Sequence, residues 1–94
     1  MDIRFEWDLE KAEANARKHG VSFVEALTAF GDSLSLTVMD PDHSEREERL
    51  LLLGRSVSDR LLVVSHEERG GVVRVISARL ATRRERRKYE EEPS

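Results

Sequence analysis

The sequence predicts an α+β domain: a small, mostly antiparallel sheet with helices packed on one side of it, in the order β-α-α-β-β-β-β-α. Three observations predict it. Two early segments pair a helix cap with apolar residues at helical spacing. Four short apolar runs follow between residues 34 and 78, separated by turn residues. A further capping motif then opens a basic terminal helix. Ninety-four residues suit one domain, spanning 1–94.

Ile3, Phe5 and Trp7 alternate with Arg4 and Glu6, the period of a strand. Asp8 is placed as an N-cap, Leu9 to Lys18 reads as a helix with Leu9, Ala12 and Ala16 as its apolar stripe, and Gly20 stops it. Ser22 and Glu25 form an S-x-x-E capping box, with Val21 and Ala26 placed as a staple. Phe23, Ala26, Leu27 and Phe30 then fall at i, i+3, i+4 and i+7, and Gly31-Asp32 ends the helix.

Leu34, Leu36 and Val38 alternate with Ser35, Thr37 and Met39, and the acidic segment 40–48 follows around Pro41. Leu50 to Leu53, Arg60 to His66 and Val72 to Ala78 are the next strands, with Gly54 and Gly70-Gly71 between them, so a three-strand antiparallel meander is expected. Thr82 and Glu85 make a second capping box, which starts a helix from Arg83 to about Glu91, with Pro93 beyond it.

Charged residues make up 37% of the chain, against about 25% in an average globular protein. The net charge is only −3 and the apolar residues are clustered, which predicts a folded core in a charged shell rather than disorder. The charge is uneven. Residues 1–47 carry 5 basic and 11 acidic side chains, whereas residues 79–88 carry six basic and one acidic. Arginine outnumbers lysine 13 to 3, and the guanidinium fork matches phosphate. Cysteine is absent, which excludes disulfides, Cys-ligated zinc and a thiol nucleophile. No apolar run approaches the ~18 residues of a membrane span, and MDIRFEWD has no signal-peptide apolar region, so a cytoplasmic chain without membrane contact is expected.

The terminal helix has Tyr89 as its only large apolar residue after Leu80 and Ala81. It reads either as a solvated helix or as one presenting Arg83, Arg84, Arg86, Arg87 and Lys88 to an anion such as a nucleic-acid phosphate. On the last strand, alternation puts Val73, Val75, Ser77 and Arg79 on one face, so Arg79 emerges at the strand end. His66 is expected at a strand end beside Glu67 and Glu68, as a general acid or base or as a surface histidine. His19 suits a helix end. His43 carries no assignment. No two histidines have metal-ligand spacing, and no glycine-rich phosphate loop occurs, so neither metal nor cofactor is expected.

The segments EWDLEKAEANARKHGVSFVEA, VSHEERGG and RVISARLATRRERRKYEEE together resemble the BrnT family of bacterial type II toxins. The resemblance spans nearly the whole chain, least in 40–60. It implies the RelE-like fold and a ribonuclease that arrests growth. It also implies a BrnA-type ribbon-helix-helix antitoxin in a heterotetramer of two toxins and two antitoxins, which reaches DNA only through the antitoxin. Metal-independent RNA cleavage uses the neighbouring 2′-OH as nucleophile and needs a base, an acid and cations on the phosphate oxygens.

On that reading Arg79 and Arg83 bind the scissile phosphate near a helix N-terminus, itself favourable to anions. His66 acts as acid or base, and Glu68 is its alternative or its orienter. Lys18, His19, Arg84, Arg86, Arg87 and Lys88 contact RNA. Tyr89 either stacks on a base or donates a proton, or it anchors the helix to the sheet. Glu85 is explained by its capping box. The competing readings are a non-catalytic module acting as co-repressor with its antitoxin, and a stand-alone DNA-binding domain, against which no helix-turn-helix pattern is apparent.

Overall fold

The computed structural model describes residues 3–42 and 48–91. Residues 43–47 of the acidic segment, with His43, lie outside the described residues, as do Glu92 and Pro93. The elements follow the expected order: β1 (Arg4–Glu6), α1 (Leu9–His19), α2 (Phe23–Ala29), β2 (Leu36–Met39), β3 (Arg49–Arg55), β4 (Leu61–Arg69), β5 (Val72–Leu80) and α3 (Arg83–Glu91). They build one five-stranded sheet in the order β1-β5-β4-β3-β2. Strands β2 to β5 form the antiparallel meander, and β1 joins β5 in parallel, so the sheet is mixed.

The caps act largely as their residue types dictate. Asp8 accepts from the N–H groups of Glu10 and Lys11, and Gly20, in the left-handed region, closes α1 by donating to the Ala16 carbonyl. Ser22 Oγ accepts from Glu25 N–H at 3.0 Å. The reciprocal half of that box is missing, because the Glu25 carboxylate turns to Ser56 Oγ (2.7 Å) and Arg60 Nε (3.0 Å), and the Arg60 hydrogen bond holds Glu25 below the usual carboxylate range. At Thr82 both halves form: Thr82 Oγ1 accepts from Glu85 N–H, and Glu85 Oε1 accepts from Thr82 N–H.

Four expectations are corrected. The apolar stripe on α1 is not its buried face: Leu9 is 76% exposed and Ala16 is exposed, while Asn15 is buried and Ala12 half-buried. Strands β4 and β5 run three and two residues past their expected ends. Gly70 and Gly71, both at positive φ, make a two-residue turn that keeps the strands paired up to Arg69 and Val72. His66 is therefore inside a strand, fully buried, and not at a strand end.

The third correction is the parity of β5. Ser65 pairs with Ser77 and His66 with Val75, which leaves Ile76 as a bulge. The alternation resets there, so Val73 and Val75 face one way and Ser77 and Arg79 the other.

The helices accordingly cover both faces, not one. On the first face α1 and α2 close over Leu52, Leu62, Val64, Val75 and Ala78, with Val21, Phe23, Ala26 and Ala29 completing the core. On the second, Tyr89 of α3 and Ala81 pack against Leu53, Leu61 and Val63. Register orders this second face in rows across the strands. The first row is Leu36, Leu53, Val63 and Arg79, and the next is Val38, Leu51, Ser65 and Ser77. The third alternates in charge: Arg49, Glu67, Arg74 and Glu6. Strand β2 is an edge, and its Val38 and Met39 are about half exposed.

Candidate nucleic-acid interface

Helix α3 has two faces of different chemistry. Glu85 and Tyr89, four residues apart, turn toward the sheet. Arg84, Arg87, Lys88 and Glu91 share the outer side, around an open depression of about 410 Å³. Arg83 and Arg86 are also exposed. A nine-residue helix with so little apolar surface is not stable by propensity alone, so its attachments to the sheet set its position.

The N-terminal attachment is Arg79. Its guanidinium donates to both oxygens of Glu85, Nη1 to Oε1 at 2.8 Å and Nη2 to Oε2 at 2.9 Å. This fork, helped by the Thr82 N–H, holds the Glu85 carboxyl down at about 2, and the same contact raises Arg79 above its ordinary value. The C-terminal attachment is Tyr89, whose hydroxyl donates to Asp32 Oδ2 at 2.6 Å while Arg55 lies 5.5 Å above its ring. The Asp32 bond pushes the Tyr89 hydroxyl up. At Asp32 burial works to raise the carboxyl, but the hydrogen bonds from Tyr89 and from the N–H groups of Arg55 and Leu34 outweigh it and leave the group lowered.

The expected site residues do not all meet. Arg79, Arg83, Arg84, Arg86, Arg87, Lys88 and Tyr89 are together, on the second face of the sheet or on the helix above it. His66 belongs to the first face, beneath α2. Its ring stands edge-on to Phe30 with centroids 4.9 Å apart, Nδ1 is 3.2 Å from the Val64 carbonyl, and Nε2 is 3.2 Å from Glu68 Oε2. Glu68 is exposed and pairs with that buried ring. Lys18 and His19 end α1, in the same layer as His66, Lys18 exposed and His19 half-buried.

Asp32 and Arg55 were not expected in this site. Their partner Tyr89 is 57 and 34 residues away in the chain, and no local pattern marks them. A second depression, of about 900 Å³, is lined by Glu6, Glu48, Glu67 and Glu68 with Arg69 and Arg74, an acidic balance unsuited to a polyanion. Among the described residues no three His, Asp or Glu side chains are grouped to hold a metal ion, and no helix is long and apolar enough to cross a membrane.

The family model described as "Ribonuclease toxin, BrnT, of type II toxin-antitoxin system" matches residues 7–85. The match ends in the first turn of α3. The fold is similar to the crystal structure of the Brucella abortus ribonuclease toxin BrnT, with a TM-score of 0.68 at 21% identity, over 86% of this chain and 99% of that one. No curated protein matches the sequence. With a family match across most of its length, this chain belongs to the BrnT family of ribonuclease toxins of type II toxin–antitoxin systems.

Proposed function

We propose that this chain is an endoribonuclease that cuts RNA by attack of a 2′-OH on the adjacent phosphodiester, without a metal, and that it holds the RNA backbone on α3. Family membership supports the ribonuclease activity, and the outward stripe of Arg84, Arg87 and Lys88, flanked by Arg83 and Arg86, is the observation that carries the binding site. Cations spaced along one helix side meet successive phosphates without reading sequence. Type II membership brings an antitoxin as protein partner. In this reading the antitoxin is of the BrnA ribbon-helix-helix type, the complex is a heterotetramer of two toxins and two antitoxins, DNA is met through the antitoxin, and the toxin acts in the bacterial cytoplasm.

The test is incubation of purified chain with RNA in the presence of EDTA. The expected products end in 2′,3′-cyclic phosphate, and a 2′-O-methyl RNA of the same sequence stays intact. Cleavage that stops with EDTA, or that also cuts the 2′-O-methyl strand, sinks the proposal. The non-catalytic reading, an interaction module acting as co-repressor, draws on one observation: His66 and Glu68 lie in the layer opposite α3. Wild-type chain that binds RNA and leaves it uncut would favour it.

A further inference from the structure

Arg79 was expected on the scissile phosphate, yet its fork is already filled. One carboxylate, that of Glu85, accepts from both terminal nitrogens of Arg79, Nη1 and Nη2, and from the Thr82 N–H. Strand end, helix cap and first helical turn thus meet at a single group. A phosphate seeking that same edge would have to displace a carboxylate of matched bidentate geometry, and Nη1 also donates to the Leu80 carbonyl at 3.3 Å. Arg79 also stands in the row that runs through Leu53 and Val63, the residues on which Tyr89 packs. Arg84, Arg87 and Lys88 point away from that row.

We infer that Arg79 is a positioning residue: through Glu85 it fixes α3 on the sheet and so aims Arg84, Arg87 and Lys88 at RNA, while making no phosphate contact itself. This rests on the RNA-binding reading of α3. The opposite possibility, a phosphate ligand held in reserve by Glu85, differs in the sign of one substitution. Removing the Glu85 charge would free a reserved Arg79 and tighten RNA binding. Removing it from a positioning pair loosens the helix and weakens binding.

The experiment measures the affinity of the full chain for a 2′-O-methyl RNA 20-mer by fluorescence anisotropy across a salt series. Arg79→Gln and Glu85→Gln are each expected to weaken binding by about fivefold, the factor usual for loss of a modest local interaction. The double variant should be no weaker than either single one, because both remove the same link. The salt slope should stay at the wild-type value in all three, whereas Arg87→Gln should reduce it by about 0.7, one single-strand phosphate contact. Tighter binding by Glu85→Gln, or a slope reduced by about 0.7 in Arg79→Gln, overturns the inference.

Hydrogen exchange of the RNA-free proteins gives an independent reading. Faster exchange across residues 86–91 in both single variants supports the positioning role, and unchanged exchange overturns it. Wild-type chain that fails to bind the RNA defeats the function proposed above and the aiming of cations with it, while exchange still decides whether Arg79 holds the helix.

Discussion

Asn15 on α1 and Ala78 on β5 are bonded in both directions, Asn15 Nδ2 donating to the Ala78 carbonyl at 2.8 Å and the Ala78 N–H donating to Asn15 Oδ1 at 3.0 Å. The same Nδ2 donates to the Val21 carbonyl at 2.9 Å. One amide side chain thereby fastens the first helix to the last strand and to the loop that enters α2. Asn15→Ala strands three buried backbone groups, so it should destabilise the fold by about 3 kcal/mol. Asn15→Asp should do no better, since it supplies no donor for the two carbonyls. Urea denaturation would show this, and a midpoint unchanged in Asn15→Ala would refute the account.

Tyr89 separates packing from hydrogen bonding on α3. Tyr89→Phe keeps the ring on Leu53, Leu61 and Val63 and loses the bond to Asp32, for which about 1 kcal/mol is expected at this partly exposed site. Tyr89→Ala loses both and should release the last turns of the helix. Thermal melts would rank the two variants. Equal effects would mean that the hydroxyl, not the ring, seats the helix.

The anchors of α3 titrate at opposite ends of the pH scale. Glu85 is lowered from 4.5 to about 2. Its contribution is therefore full above pH 4.5 and is lost as pH falls toward 2. Tyr89 is raised above 10, so its contribution is full below pH 10 and is lost as pH climbs through the raised value. NMR titration of the Glu85 carboxyl carbon should place its midpoint near 2, and a midpoint near 4.5 would contradict the Arg79 fork.

Gly54 has no room for a side chain. A Cβ there would stand 2.8 Å from the Ala29 carbonyl oxygen and 3.2 Å from Ser35 Cβ. Gly54→Ala must push α2 off β3 and should destabilise by about 1–3 kcal/mol. A variant as stable as the parent in chemical denaturation would show that the helix end yields freely.

His66, fully buried against Phe30, is placed for packing on the face away from α3. His66→Ala should destabilise by about 3 kcal/mol, chiefly through the cavity it opens. RNA affinity per folded molecule should stay at the parental value. A loss of affinity in protein shown by circular dichroism to be folded would bring His66 back to the RNA site.

The sequence was legible wherever the signal was local. Asp8, Ser22 and the Thr82–Glu85 pair mark their helix starts because a cap bonds to N–H groups two or three residues away. Element order and the meander follow from apolar runs and turns. The basic side of α3 was legible as a charge cluster. What stayed hidden depends on partners far along the chain: Asn15 with Ala78, Asp32 with Tyr89, Glu25 with Arg60. Glu85 could be read as a cap, yet nothing nearby said that it would also fill the Arg79 fork. The bulge at Ile76 carries no glycine or proline to announce it, and with it the facing of Ser77 and Arg79 was missed. The two acids after His66 read as a strand end, while strand pairing continues to the glycine turn.

That bulge has a consequence for how the fold tolerates change in length. Strand β5 carries one residue more than its neighbour between two fixed pairs, Ser65 with Ser77 and His66 with Val75. A chain lacking Ile76 would still offer Ser77 to Ser65 and Val75 to His66. The side on which Arg79 emerges is thus inherited from β4 and not from counting along β5. Loss of Ile76 would close the joint and leave the aim of the following helix unchanged.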